Sequence, residues 1–202
     1  MRFTAVEVIY EAALKDPNIY FITGDIGHAN PKAFQERLAD QYFNAGMAEQ
    51  NIVGVAAGLA LSGRKVFVYS IVPFITLRCF EQIKVDVCYH NVDVTVIGVG
   101  GGFTYGNFGA THYSIEEIAA LRALPNMKII CPGTPYETKV LTEEIIREGG
   151  PAYMRIGRGK EPNLGHEYPL QIGKAVVIRP GKDATIFVSG TILMEALRAA
   201  DI

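Results

Sequence analysis

The stretch Asn44-Ala45-Gly46-Met47-Ala48-Glu49-Gln50-Asn51-Ile52-Val53-Gly54-Val55-Ala56-Ala57-Gly58-Leu59-Ala60 sets one acid at the mouth of an otherwise small and apolar run. From Ile52 onward the run has helical character, and Gly54, Ala56, Ala57, Gly58 and Ala60 keep that helix thin. Small side chains let another backbone approach closely, so the stretch reads as built for burial, including burial between subunits. A carboxylate at the mouth of such a helix is costly to desolvate, which makes Glu49 a candidate proton donor or acceptor. The position also suits a plain first-turn acid facing the positive end of the helix.

Outward from this centre, strands alternate with helices. Before it, Thr4 can cap a helix carrying Val6, Ile9, Ala12 and Ala13, and Ile19-Tyr20-Phe21-Ile22-Thr23 reads as a buried strand ending at Gly24-Asp25. Pro31 is placed to open the next helix, and His28 reads as a loop residue. After it come the strand Lys65–Ser70, a helix from Phe74 to Tyr89 and the strand Val94–Gly98. Gly98 to Gly109 is rich in glycine and aromatics, and reads as a flexible, polar pocket-lining loop leading into Thr111-His112 and a helix ending near Leu124-Pro125. Met127–Cys131 is a strand, Tyr136–Arg147 a helix and Ala152–Ile156 another strand. The order implies an α/β fold, a mainly parallel sheet with helices on both faces. In such sheets ligands bind beyond the carboxyl ends of the strands, which puts Asp25 where a site would be; a loop or cap aspartate is the plainer reading.

The stretch Gly159–Leu170 is polar and rich in Gly and Pro, and reads as a linker. Two further strands, Ala175–Ile178 and Ala184–Val188, and helical residues Ile192, Leu193, Ala196 and Leu197 follow. About thirty residues cannot bury a core alone, so residues 166–202 read as a linker and the truncated start of a second α/β domain, after a first domain over 1–165. With 19 basic and 21 acidic residues the charge is nearly balanced, which argues against a nucleic-acid surface or a polybasic membrane surface. Cys79, Cys88 and Cys131 show no metal-ligand spacing, and an odd count fits a reducing cytoplasm. No apolar run approaches the length of a membrane span. Nucleophile elbow, P-loop, HExxH and paired CxxC patterns are not found.

One ordered set of motifs is more specific. Gly24-Asp25, Gly46-Met47-Ala48-Glu49-Gln50, Tyr69-Ser70-Ile71-Val72-Pro73-Phe74, Thr111-His112 and Arg155-Ile156-Gly157-Arg158, in this order and spacing, resemble the pyrimidine-binding domain of the transketolase family. The acid-Gln pair Glu49-Gln50 and Arg78, four residues after Phe74, are also similar to 1-deoxyxylulose-5-phosphate synthase. The resemblance implies thiamine diphosphate as cofactor, with Glu49 as the acid bonded to N1′ of the aminopyrimidine, Phe74 stacking on that ring and Asp25 helping to fix the cofactor at an interface. It matches His112 to a histidine facing the substrate's oxygens, and Arg158 and Arg78 to arginines that grip a sugar phosphate, with Arg155 an alternative to Arg158. The plainer alternatives are a core phenylalanine, a histidine bonded to a loop carbonyl and salt-bridged or solvated arginines.

Members of that family hold magnesium with Gly-Asp-Gly and a downstream asparagine. Gly24-Asp25-Ile26 and Asn51 come near this spacing, but Ile26 replaces the glycine that lets backbone approach a diphosphate, and the pair is rejected as a metal site. The resemblance therefore implies Mg2+ held by a partner domain, in a homodimer or with a separate N-terminal transketolase subunit, and inactivity without that partner. It implies transfer of a two-carbon ketol unit between sugar phosphates. The competing readings are a decarboxylating synthase or 2-oxoacid dehydrogenase β-subunit, and a non-catalytic assembly subunit. One departure stands out: where relatives carry an aspartate shortly before Thr-His, this chain has Asn107-Phe108-Gly109-Ala110, which suggests a different sugar or carbonyl donor.

Overall fold

The computed structural model describes residues 1–26 and 32–202, so the readings of His28 and Pro31 lie outside the described residues. Among the described residues six strands form one sheet: β1 (Ile19–Thr23), β2 (Tyr42–Asn44), β3 (Lys65–Ile71), β4 (Val94–Val99), β5 (Lys128–Ile130) and β6 (Ala152–Ile156). Their order is β2-β1-β3-β4-β6-β5, and every pairing is parallel. The helices are α1 (Arg2–Ala13), α2 (Lys32–Arg37), α3 (Glu49–Leu61), α4 (Val72–Ile75), α5 (Phe80–Gln82), α6 (Glu117–Leu121), α7 (Pro135–Glu148) and α8 (Leu193–Ala200). The expected α/β architecture is present, and it is wholly parallel.

The near-continuous apolar strands are buried on both faces, as parallel strands between helices must be. Successive side chains alternate between two cores. Val66 and Val68 of β3 and Val94 and Val96 of β4 pack under Ile52, Val53, Ala56 and Ala57 of α3. Phe67 and Tyr69, with Ile97 and Val99, face the opposite core with Ala5 and Ile9 of α1 and Ile145 of α7. Each of these cores buries enough aliphatic surface to supply several kcal/mol, at roughly 25 cal/mol per Å² of apolar area removed from water.

Several local expectations are corrected. Helix α1 starts at Arg2 and has Met1 as its N-cap, so Thr4 lies inside the helix and caps nothing. The region Phe74–Tyr89 is broken into α4, a 3-10 turn over Leu77–Cys79, α5 and a π-helical stretch Ile83–Tyr89. Thr76 leaves helical geometry between the first two pieces, and its hydroxyl donates to the Val72 carbonyl at 2.6 Å. The helix expected straight after Thr111-His112 is delayed to Glu117, because Ser114 pairs back antiparallel with Gly102. Strand β2 was not expected, being three residues long and ending in a polar Asn44.

The tail also departs from expectation. Residues 175–178 and 184–188 form no strand: among the described residues no segment pairs with them, and Val177 and Phe187 are largely exposed. Apolar content alone does not make a strand without a partner for its backbone. The segment before them is strapped to α7, where the Tyr136 hydroxyl donates to the Tyr168 carbonyl at 2.8 Å and the Ile172 amide donates to Glu144 Oε2 at 2.8 Å. Helix α8 forms as the periodicity predicts.

Helix α7 has a side-chain cap, Thr134 Oγ1 accepting from the Glu137 amide at 3.1 Å. Thr134→Ala should lower unfolding stability by about 1 kcal/mol, measured by urea denaturation, with an unchanged denaturant slope.

Candidate active site

Because all six strands run the same way, their carboxyl ends share one edge, and the loops leaving β1, β2, β3, β4 and β6 meet there. The ladder register ties these ends together, pairing Thr23 with Asn44 and with Tyr69, Ser70 with Gly98, and Gly98 with Arg155. On this edge lie Asp25 after β1, Glu49 after β2, Phe74 and Arg78 after β3, His112 after β4, and Arg155 and Arg158 at the end of β6.

Glu49 opens α3 and is 4% exposed. One carboxylate oxygen accepts from Arg78 Nη1 at 2.8 Å, and the other faces the Ser70 hydroxyl at 3.4 Å. The guanidinium of Arg78, about half exposed, lies over the Phe74 ring at 4.4 Å. Glu49, Arg78 and Phe74 thus form one stack, in which a planar cation donates to a buried carboxylate and covers an aromatic face. Gly24 backs the acid: a Cβ there would lie 3.4 Å from the Gly46 carbonyl and 3.6 Å from Glu49 Oε1. Beneath the stack, burial first and the Glu49 carboxylate second push the Cys79 thiol up to about 12, so it is a neutral packing group and no nucleophile.

His112 is half-buried among aromatics. Its ring meets Phe74 edge-on at 5.0 Å, Phe108 at 5.0 Å with a 33° tilt and Tyr105 at 5.9 Å. Its Nδ1 lies 3.0 Å from the Thr111 hydroxyl. The glycine-rich loop was expected to be flexible and polar, and the structure gives those glycines a different task. Gly100 has φ +79°, and a Cβ on it would come within 2.2 Å of the Tyr105 ring; one on Gly101 would come within 2.4 Å of Arg155 Cδ. Both positions need glycine because the chain folds tightly onto aromatic and guanidinium surfaces. Burial pushes the Tyr105 hydroxyl's pKa up, keeping it neutral.

Phe74 links Glu49 and Arg78 to His112, so these four are brought together. Arg158 is exposed and joins them through Tyr105, over whose ring it lies at 4.9 Å. Arg155 is engaged otherwise: its Nη1 donates to the fully buried Glu117 at 2.9 Å. Asp25 is exposed, and its amide donates to the Gly46 carbonyl at 3.3 Å. Asn51 is exposed on α3, and among the described residues no group of three or more His, Cys, Asp or Glu gathers in metal-binding fashion. Tyr105 and Glu117 escaped the sequence reading, which noted Phe108 only within the stretch Asn107-Phe108-Gly109-Ala110. The spacing Ser114-Ile115-Glu116-Glu117, an acid three residues after a serine, is the signal that would have found Glu117.

Residues 1–162 match the family model for the transketolase pyrimidine-binding domain. The chain is 36% identical over 201 residues to one of the subunits of an apulose-4-phosphate transketolase from Phocaeicola vulgatus, covering 98% of this chain and 64% of that protein. It is also 36% identical to a putative transketolase C-terminal section of Methanocaldococcus jannaschii, covering 100% of this chain and 65% of that one. A solved split-gene transketolase, described as an inactive β4 tetramer, superposes with a TM-score of 0.89 at 31% identity over 99% of this chain and 66% of its own. The chain thus spans just under two thirds of these relatives, and it belongs to the transketolase pyrimidine-binding domain family.

The Glu49–Arg78 pair carries its own prediction. Arg78→Met should strand a buried carboxylate and lower stability by about 1–3 kcal/mol. In Glu49→Gln the same Arg78 change should cost much less, and a double-mutant cycle followed by thermal melting reads the difference.

Proposed function

Taking that family membership as premise, we propose that the chain is the pyrimidine-binding, C-terminal part of a split thiamine diphosphate-dependent transketolase-like enzyme. It transfers a two-carbon ketol unit between sugar phosphates, and it works only with a separate N-terminal subunit that holds the diphosphate and Mg2+. The observation that carries the reading is the buried carboxylate of Glu49, joined through the Arg78 guanidinium to the face of Phe74, at the edge where the strands end. A carboxylic acid shielded from water and an aromatic face are the two features that an aminopyrimidine ring requires, so the residues present fit that half of the cofactor. Residues 166–202 then begin the next domain of the longer relatives.

The cofactor, when bound, supplies an acidic thiazolium carbon that acts as nucleophile in carbon–carbon bond cleavage. The chain's own groups do the rest. Glu49 holds a proton at N1′ of the pyrimidine, its burial strengthening that hydrogen bond. Phe74 stacks on the ring, which requires Arg78 to leave the face it covers. His112, placed by its three aromatic neighbours, hydrogen-bonds and exchanges protons with substrate oxygens. Arg158, exposed at the mouth, attracts the phosphate, and Arg78, once displaced, is a second such cation. Asp25 helps fix the cofactor where the subunits meet. The stretch Asn107-Phe108-Gly109-Ala110, standing where relatives carry an aspartate and placing Phe108 beside His112, favours a different sugar or carbonyl donor.

Helix α3 supports the subunit contact. Its inner face packs on the sheet, while Gly54 and Gly58 have open space where a Cβ would stand and Leu61 is exposed. This outward face suits close approach by a second copy or by the N-terminal subunit.

Mixed with an N-terminal transketolase subunit, thiamine diphosphate and Mg2+, the chain should catalyse ketol transfer in a coupled assay. Glu49→Gln should lower kcat by at least about 100-fold while subunit association, followed by gel filtration, stays intact. A fully active Glu49→Gln enzyme removes this residue from the mechanism, and carbon dioxide release from pyruvate would instead mark a decarboxylating enzyme.

A further inference from the structure

Glu117 is a fully buried carboxylate that the proposed chemistry does not use. It opens α6 behind the edge, and three donors reach it: the Ser114 hydroxyl at 2.8 Å, Arg155 Nη1 at 2.9 Å and the Tyr153 hydroxyl at 3.4 Å. Ser114 and Gly102 exchange backbone hydrogen bonds in both directions, at 2.6 and 3.1 Å, and so close the neck of the loop that carries His112. The other side of that neck rests on the same arginine, since Gly101 packs against the Arg155 stem, and the Gly100 amide donates to the Ile156 carbonyl at 2.9 Å. One carboxylate therefore ties the neck of the His112 loop to the carboxyl end of β6.

We propose that Glu117 is a positioning residue: it sets where His112 stands relative to the β6 end by holding Ser114 and Arg155 at once. A buried ion pair adds little net stability over a well-packed apolar pair, whereas removing one partner leaves the other stranded. What this carboxylate supplies is a side-chain restraint on the Ser114 side of the neck, whereas the backbone bond from Gly100 to Ile156 holds the other side. A displacement of about 1 Å in a substrate-facing group is enough to cost orders of magnitude in rate. The consequence for catalysis rests on the reading of His112 as substrate-facing; the mechanical link does not.

The test has two arms. In the isolated chain, the NMR resonance of the His112 ring Cε1–H is followed in Glu117→Gln and Ser114→Ala. Ser114→Ala severs the loop side while leaving the Glu117–Arg155 pair, and it serves if the Glu117 variant fails to fold. The His112 resonance should shift or broaden in both variants while that of His90, an exposed residue bonded to Val85, stays put. An unmoved His112 in a folded Ser114→Ala chain overturns the link. In the mixture with the N-terminal subunit, kcat/KM should fall at least about tenfold, mostly in kcat, with cofactor affinity kept. Moved resonances with kcat/KM unchanged overturn the positioning role. Absence of ketol transfer even in the wild-type mixture overturns the functional reading instead, and the resonance arm still decides the link.

Discussion

The structure turns on a carboxylate removed from water. Glu49 sits at the start of a helix whose inner face must pack on the sheet, so its acid cannot reach solvent, and a buried charge without a partner is costly. Arg78 meets that requirement from the next loop, with its guanidinium flat against Phe74 and its outer half in water. Only one partner of the pair is deeply buried, and the other is long and already half in water. A ring able to donate to the carboxylate and stack on the phenylalanine could take the guanidinium's place.

Around this pair, topology does the assembling. Parallel strands place every carboxyl end on one edge, and five of the six contribute a loop or terminal residue to the site. The aromatic loop after β4 is held there by close packing. Gly100 admits the Tyr105 ring and Gly101 admits the Arg155 stem, so a segment rich in glycine carries a histidine enclosed by three rings. Glycine here serves proximity as much as freedom of rotation.

Much of the architecture was legible from periodicity. Strands β1 and β6 fall on the residues that their apolar runs mark, and α7 extends one residue beyond its expected bounds at each end. The failures share a cause. Strand β2, only three residues long, is too short to signal itself, and it pairs with the edge that β1 offers. Residues 184–188 have strand-like composition but no partner among the described residues, and they stay irregular. The broken helix after β3 reads as continuous by composition, whereas the Thr76 hydroxyl and the demands of the edge divide it.

The linear order of residues determined the fold class and the family, because these follow from local spacing and from motifs along one chain. Tertiary structure alone decided which groups answer which. It set Arg78 against Glu49, closed aromatics around His112 and committed Arg155 to a buried glutamate that no motif had singled out. The two ion pairs join residues 29 and 38 positions apart, and their energies depend on burial and distance, quantities that exist only once the chain has folded.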